Sequence, residues 1–458
     1  MKQIINNNSS LFSNFIKNSI KAPSPKVQQN FMKVTSELVE VIKKILETEK
    51  LIFDVSYEGK KYWENAKKHK FAFVDGGAYS SFLSSSAPFA IRANTYIVKP
   101  DELLERRELF RETVKFVGNL YDPEKNLYDL DEDPYEDNQL LTKKKDAARI
   151  TFETAAVARH VYENEKFEYL LLHGPLQTPI MPFSGPEFPL FKKEVIKYIL
   201  PFFKKKEIND QDRHFINVYL NSINYIKKAK FNIFGIVEKT GSTIYLRNLL
   251  YRAKQKKLID DVIFDKTISL IKRYKINDAT LFELILSDCQ ALKPLEVEKQ
   301  IPSKAWGDWE EQMNNFPKVF IGYLRTNKNQ SPIRIESLNN PKKLHKDYEY
   351  ILATSKLLPN YGFPAGLDVI DTLMGLRKSH TKKGRNQHAG LDAFTGKVVN
   401  MQSRNVVEPL RVKTQAVSSA TDVATMILRI DDVIASKQPE GPEPDGSDGM
   451  GAMPPGMM

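Results

Sequence analysis

One cysteine, Cys289, is all that a chain of 458 residues contains. A single thiol excludes an internal disulfide and any cysteine-rich zinc site, and leaves either a buried inert side chain or a lone nucleophile. Long apolar runs are missing as well, none approaching the roughly eighteen residues of a membrane span. The opening residues, MKQIINNNSSLFSNFIKNSI, lack the continuous apolar core of a secretory leader, which makes the cytoplasm the expected compartment. Residues 1–364 hold neither a glycine-rich phosphate loop nor a G-x-x-x-x-G-K-[ST] run, so independent ATP binding is not expected. The acidic segment 121–138, YDPEKNLYDLDEDPYEDN, lacks the glycine and terminal glutamate spacing of a calcium loop and reads as a solvated loop.

What the chain does contain is typical of a soluble globular protein, 41% hydrophobic and 27% charged, with length enough for two or three domains. Its net charge is +11, and the last residues, 436–458, oppose that sign with one lysine against four acids. Lysines cluster at 67–70, 143–145, 204–206 and 227–230, and aromatics interleave two of these clusters, in YILPFFKKKE and YIKKAKFNIF. A basic surface with aromatic faces suits a phosphate backbone and stacked bases. Lysine-rich helices facing solvent account for the same clusters.

The pattern along the chain is mixed. Phe31, Val34, Leu38, Ile42, Ile45 and Leu46 fall on one stripe of a helix over 27–49. Phe71–Val74 reads as a short strand turned at once by Asp75-Gly76-Gly77, and 89–98 as its antiparallel neighbour. A helix over 146–165 carries Glu153, and the strand 168–172 ends at His173. A lysine-rich, mostly helical stretch (187–230) leads to a strand in FNIFGIVEKTGS, whose end presents Lys239. Helices at 243–258 and 280–290, strands at 318–326 and 332–338, and a helix at 346–358 follow. The sum is a mixed α/β sheet with helices packed on it.

Several acids recur at or beside the ends of buried elements: Asp75, Glu153, and the pair Asp368 and Asp371 at the start of a late helix. Cutting a phosphodiester at neutral pH calls for divalent ions held by carboxylates converging from different segments, and rigid strand ends are good mounts for them. An Asp before two glycines is also a common turn former.

The segments FAFVDGGAYSS, ARITFETAAVARH, EYLLLHGPLQTPI, FGIVEKTGS and NYGFP, in this order over about 30–371, resemble the NurA family of nucleases. The resemblance implies an RNase H-like fold, Mn2+- or Mg2+-dependent cleavage of DNA, single-stranded or at duplex ends, and a homodimer. It also implies partnership with a HerA-type hexameric ATPase in DNA end processing. By that resemblance Asp75 is the first metal carboxylate and Glu153 the second, and Lys239 is the basic strand-end residue. Two positions depart from the family. His173 stands where an Asp often precedes GPL, and Phe363 where a tyrosine is often found. Asp371 falls where the family places its last ligand, often a histidine, so the two ligand types are exchanged and His173 completes the set. The alternative is a structural His173 and a weakened DNA-binding subunit.

Beyond the YGFP motif the character changes. AGLDVIDTLMGLRKSH, the run from AGLDAFTGKVV to RIDDVIAS, and the tail GSDGMGAMPPGMM resemble the C-terminal end of an archaeal thermosome, a group II chaperonin. This end reads as a small, mainly helical segment. One helix spans 408–435, with Leu410, Val417, Ala420, Val423, Ile427 and Ile430 on an apolar face that expects a partner. Glu408 matches a ribose contact of chaperonins, a vestige here without its phosphate loop. The expected organisation is a flexible N-terminus (1–25), a nuclease domain (26–364), a chaperonin fragment (365–435) and a disordered Gly/Met-rich tail (436–458). Association with chaperonin subunits is a further expectation.

Overall fold

Two apolar strands sit side by side inside a nine-stranded sheet because each alternates between two buried faces. The computed structural model describes residues 25–80, 88–119, 134–176, 190–238, 240–297, 317–357, 362–367, 379–380, 388–392, 397–404, 411, 414–415 and 417–421. The sheet strands are β1 (Ile52–Asp54), β2 (Phe71–Ser80), β3 (Pro88–Val98), β4 (Glu108–Asn119), β5 (Tyr169–His173), β6 (Asn232–Val237), β7 (Gln290–Val297), β8 (Val319–Leu324) and β9 (Ile333–Ser337). They lie in the order β1-β7-β8-β9-β6-β5-β2-β3-β4. Pairing is antiparallel throughout except at β2–β5 and β5–β6. The five strands β4-β3-β2-β5-β6 therefore form an RNase H-like unit, three antiparallel and then two parallel, extended by an antiparallel wing. The chain's fold is a mixed α/β sheet with flanking helices.

The helices are α1 (Pro25–Thr48), α2 (Gly59–Ala66), α3 (Leu104–Arg107), α4 (Pro134–Tyr162), α5 (Lys193–Ile199), α6 (Asp210–Arg213), α7 (Phe215–Ile226), α8 (Ile244–Gln255), α9 (Asp261–Tyr274), α10 (Asp278–Ile285) and α11 (Leu344–Ser355). Ala72, Val74, Leu170 and Leu172 point to one side of the sheet, into a core shared with α4 and α7. Phe71, Phe73, Tyr169 and Leu171 point to the other, against α11 and Phe363. This is the period of two that a pleated strand imposes. On α4, Ala147, Ala148, Ala155, Ala156 and Ala158 are buried, and side chains this small let the helix lie close on the strands. Under the wing, the predicted stripe of α1 buries Leu38, Ile42, Ile45 and Leu46 against α9 and α10, each worth about 1.5–3 kcal/mol when fully buried.

A buried carboxylate ties this second region together. Asp278 accepts from the backbone N–H groups of Tyr245 (3.0 Å) and Leu246 (3.1 Å) at the start of α8, and from the Tyr323 hydroxyl (3.0 Å). Burial pushes its pKa up to about 7, against the pull of those three donors.

Several expectations change. Gly76 and Gly77 do not turn the chain; β2 continues to Ser80, paired with β3 as Gly76↔Ala93 and Gly77↔Arg92. The acidic segment is not loop to its end, since α4 begins at Pro134, a residue suited to a first helical turn. The helix expected to reach 290 stops at Ile285, and Gln290 begins β7. Pro294 in β7 falls at a shift of register between Leu292 and Leu295, where a missing N–H is tolerated. β1, β4, β7, α2, α3 and α9 add to the expected element order.

By its contacts the chain separates into Met1–Val399 and Asn400–Met458. Beyond the main sheet, Ala389–Asp392 pairs with Lys397–Asn400 in a two-stranded sheet. Most of the helix expected over 408–435 lies outside the described residues; 417–421 is helical, with Val417 67% exposed. The tail 436–458 also lies outside them. No helix among the described residues is long and apolar enough to cross a membrane.

Candidate active site

Asp75 sits where the two modes of strand pairing part. Phe71–Val74 of β2 is flanked on both sides, by β3 and by Tyr169–Leu172 of β5. At Asp75 the parallel partner is left behind, while β3 continues to hold the strand through Asp75↔Asn94. The result is a carboxylate on a rigid strand with an open flank. His173 is the next residue of β5 after Leu172, so the register Val74↔Leu172 carries Asp75 and His173 onto the same face. Their side chains meet, with His173 Nδ1 3.4 Å from Asp75 Oδ2.

Glu153 arrives from the opposite face, on α4, and is 3% exposed. Its carboxylate lies against Gly76: a Cβ built there would stand 2.6 Å from both Glu153 Cγ and Oε1. Gly76 thus serves close approach, not a turn. The Arg149 guanidinium, one helical turn earlier, donates from Nη1 to Glu153 Oε1 at 2.6 Å. Burial raises the Glu153 pKa above the usual carboxylate range, and the Asp75 charge adds to that push. Arg149, and more weakly His173, pull the other way.

Asp75 Oδ1 accepts from the Gly76 backbone N–H at 2.8 Å. Oδ2 is buried without a hydrogen bond. A buried carboxylate oxygen in that condition costs stability unless a cation or donor meets it. Two hard carboxylate oxygens and an imidazole form a donor set suited to Mn2+, and the carboxylates alone to Mg2+. The donor chemistry therefore suits a divalent ion, although the donor atoms of Asp75, Glu153 and His173 do not all stand within 4.8 Å of one another.

The YGFP segment also reaches this place. Gly362 adopts φ +75°, a left-handed conformation that favours glycine, and its carbonyl oxygen accepts from the Thr326 hydroxyl. Phe363, Ala365 and Leu367 are buried, and the Phe363 ring centroid lies 5.2 Å from that of His173. A Cβ on Gly366 would strike the Phe73 ring at 2.6 Å. Asp368, Asp371, Lys239 and Glu408 lie outside the described residues. Sequence reading passed over Arg149, although the i, i+4 spacing of Arg149 and Glu153 in ARITFE is a legible signal.

Among the described residues the trio that does bring its donor atoms within 4.8 Å of one another is His160, Glu163 and Glu165. Its acids are already engaged. Arg111 donates to both, at 2.7 and 3.0 Å, Arg159 to Glu163 at 3.1 Å, and Lys70 to Glu165. This is a salt-bridged corner with little attraction left for a cation. The aromatics beside two of the lysine clusters are engaged too: Phe202 and Tyr225 stack on each other at 3.9 Å, and Lys205 pairs with Asp212 at 2.7 Å.

The sheet is RNase H-like in its strand order, with buried acids where antiparallel pairing gives way to parallel. The NurA domain family matches residues 69–375, more than half of the sequence, and the chain belongs to that family. Among solved structures it is similar to the NurA nuclease from Sulfolobus solfataricus, at 12% identity and a TM-score of 0.43, covering 74% of this chain and 86% of that one. It is also similar to a NurA bound to dAMP and manganese, at 11% identity and a TM-score of 0.40, covering 79% and 96%. The TCP-1/cpn60 chaperonin family matches residues 364–438, so the two matches overlap at 364–375. Thermosome subunit 1 of Haloferax volcanii is 55% identical over 93 residues, 20% of this chain and 16% of that protein. Thermosome subunit beta of Archaeoglobus fulgidus is 58% identical over 90 residues, again 20% and 16%. The chain thus spans about one-sixth of the length of these thermosome subunits, and its C-terminal segment is chaperonin-related.

Proposed function

We propose that this chain is a divalent-metal-dependent deoxyribonuclease using Mn2+ or Mg2+. The observation that carries the reading is the buried Oδ2 of Asp75, without a hydrogen bond, facing His173 at adjacent strand ends beside Glu153. In this reading Asp75, Glu153 and His173 hold the metal, with Asp371 as a further ligand and Lys239 as the basic group for the phosphate. A bound ion supplies charge neutralisation at the phosphate and a water activated at neutral pH. The protein's part is to keep Asp75 rigid on β2, to fix Glu153 over Gly76, and to hold His173 between Asp75 and Phe363.

The substrate is DNA, single-stranded or at duplex ends, as suits family membership and a net charge of +11. Family membership also supports a homodimer working with a HerA-type hexameric ATPase in DNA end processing. Residues 26–364 form the nuclease domain, 365–435 the chaperonin-derived segment and 436–458 its tail. That segment serves association with chaperonin subunits, a role supported by its identity to thermosome subunits. One observation favours a second reading, a weakened DNA-binding subunit: His173 offers imidazole in place of a carboxylate, against the apolar Phe363 ring.

The test is cleavage of end-labelled single-stranded and duplex oligonucleotides with Mn2+ or Mg2+. Wild-type protein is expected to cut, and Asp75→Ala to lose about a hundredfold or more. Cleavage that survives Asp75→Ala sinks the proposal. DNA binding without cutting under either ion selects the weakened subunit.

A further inference from the structure

The strongest interaction at the acidic centre is one that a metal site should not tolerate. Glu153 is already held by a cation of the chain itself, since Arg149 Nη1 stands 2.6 Å from Oε1. The two side chains differ sharply in access: that of Glu153 is 4% exposed, and that of Arg149 is 32% exposed. The guanidinium is therefore the solvent-side lid of the carboxylate. On one side the Glu153 carboxylate lies close against the strand at Gly76. A cation that binds Oε1 must take the place that Arg149 fills.

We infer that Arg149 is a built-in cation that occupies Glu153 until a divalent ion displaces it, and that the displaced guanidinium then contacts a nucleic-acid phosphate. The inference rests on the nuclease reading and goes beyond it by naming a residue that links the two ligands. An arginine is suited to both partners, since its planar fork matches carboxylate and phosphate oxygens alike. The exchange also avoids a cost. Two buried acids, Glu153 and Asp75, face one another's charge before the metal arrives, and Arg149 offsets both. Once the metal carries that charge, the guanidinium is freed at the exposed mouth of the site.

The test uses the full-length protein and reads binding separately from cutting. Mn2+ is titrated calorimetrically, without DNA, into wild type, Arg149→Gln and Arg149→Lys. Removing the competing charge-assisted hydrogen bond should tighten Mn2+ binding about tenfold in Arg149→Gln, while Arg149→Lys stays near wild type. A single-stranded phosphorothioate oligonucleotide is then bound in the presence of Mn2+ at several salt concentrations. Arg149→Gln should bind it more weakly, with the salt slope smaller by about 0.7, the loss of one phosphate contact. Thermal melts of all three proteins check that each remains folded, with Arg149→Gln expected to melt at a lower temperature because the buried Glu153 loses its counter-charge.

Unchanged or weaker Mn2+ binding by Arg149→Gln overturns the competition, with the nuclease reading intact if wild type still cuts. An unchanged salt slope overturns the phosphate contact. Absence of Mn2+ binding in wild type and in Arg149→Gln overturns both this inference and the metal-dependent reading on which it rests.

Discussion

Replacing Gly76 by alanine tests the geometry of the acidic centre with a control one residue away. The added methyl would lie 2.6 Å from Glu153 Cγ and Oε1 and 3.0 Å from Cδ, whereas a Cβ on Gly77 meets nothing within 4 Å. Neither glycine has positive φ, so alanine is compatible with the strand backbone at both positions. Relieving the contact at Gly76 requires Glu153 to retreat by about 1 Å, because carbon and oxygen atoms settle near 3.5 Å apart. Displacement of a catalytic group by that distance costs about a hundredfold in rate. The stability cost of overpacking is smaller, about 1–3 kcal/mol, and is partly offset by the lower chain entropy of alanine in the unfolded state. The assay is Mn2+-dependent cleavage beside thermal melts for wild type, Gly76→Ala and Gly77→Ala. The expected result is a loss of about a hundredfold at Gly76 with the protein still folded, and activity within about twofold of wild type at Gly77. Full activity and unaltered Mn2+ affinity in Gly76→Ala would refute the placement of Glu153 over the strand.

Two stability predictions follow from buried polar groups. His160 is buried, its Nε2 lies 2.7 Å from Thr95 Oγ1, and burial lowers its pKa from 6.5 to about 4. Between those values the unfolded chain holds more protons than the folded one, so stability rises with pH. The contribution is fully present above 6.5, is lost as pH falls through about 4, and amounts to about 3 kcal/mol. Urea unfolding at several pH values between 4 and 7 should show this slope flattened in His160→Gln, and an unaltered slope would contradict the assignment. Asp278→Ala should cost about 2–4 kcal/mol, because the amides of Tyr245 and Leu246 lose their acceptor inside a buried helix start. Asp278→Asn should recover part of that loss, and equal destabilisation by both variants would argue against the cap.

Much of the fold was legible where local pattern and tertiary burial agree. The stripe of α1 placed Leu38, Ile42, Ile45 and Leu46, and all four are buried. The apolar runs around Phe71–Val74 and Tyr169–Leu172 read as strands and are neighbours in the interior of the sheet. β4 was overlooked because it is an edge strand, ELFRETVKFVGN, whose charged residues interrupt the apolar alternation. β7 was overlooked because Pro294 reads as a breaker until the irregular register beside it is seen.

The sequence by itself determined which residue types were available at the acidic centre: an aspartate after an apolar strand, a glutamate on an alanine-rich helix, a histidine at a strand end. Local propensity and burial pattern are enough for that, since each depends on a few neighbouring residues. Only the tertiary structure decided that Asp75 and His173 meet, because their 3.4 Å approach follows from the register between β2 and β5. It also decided what the paired glycines do. In isolation Asp-Gly-Gly favours a turn, but hydrogen bonds from β3 carry the strand straight through, and the missing Cβ of Gly76 becomes room for Glu153. A long-range partner there outweighs a local preference, and the acidic centre is built from that difference.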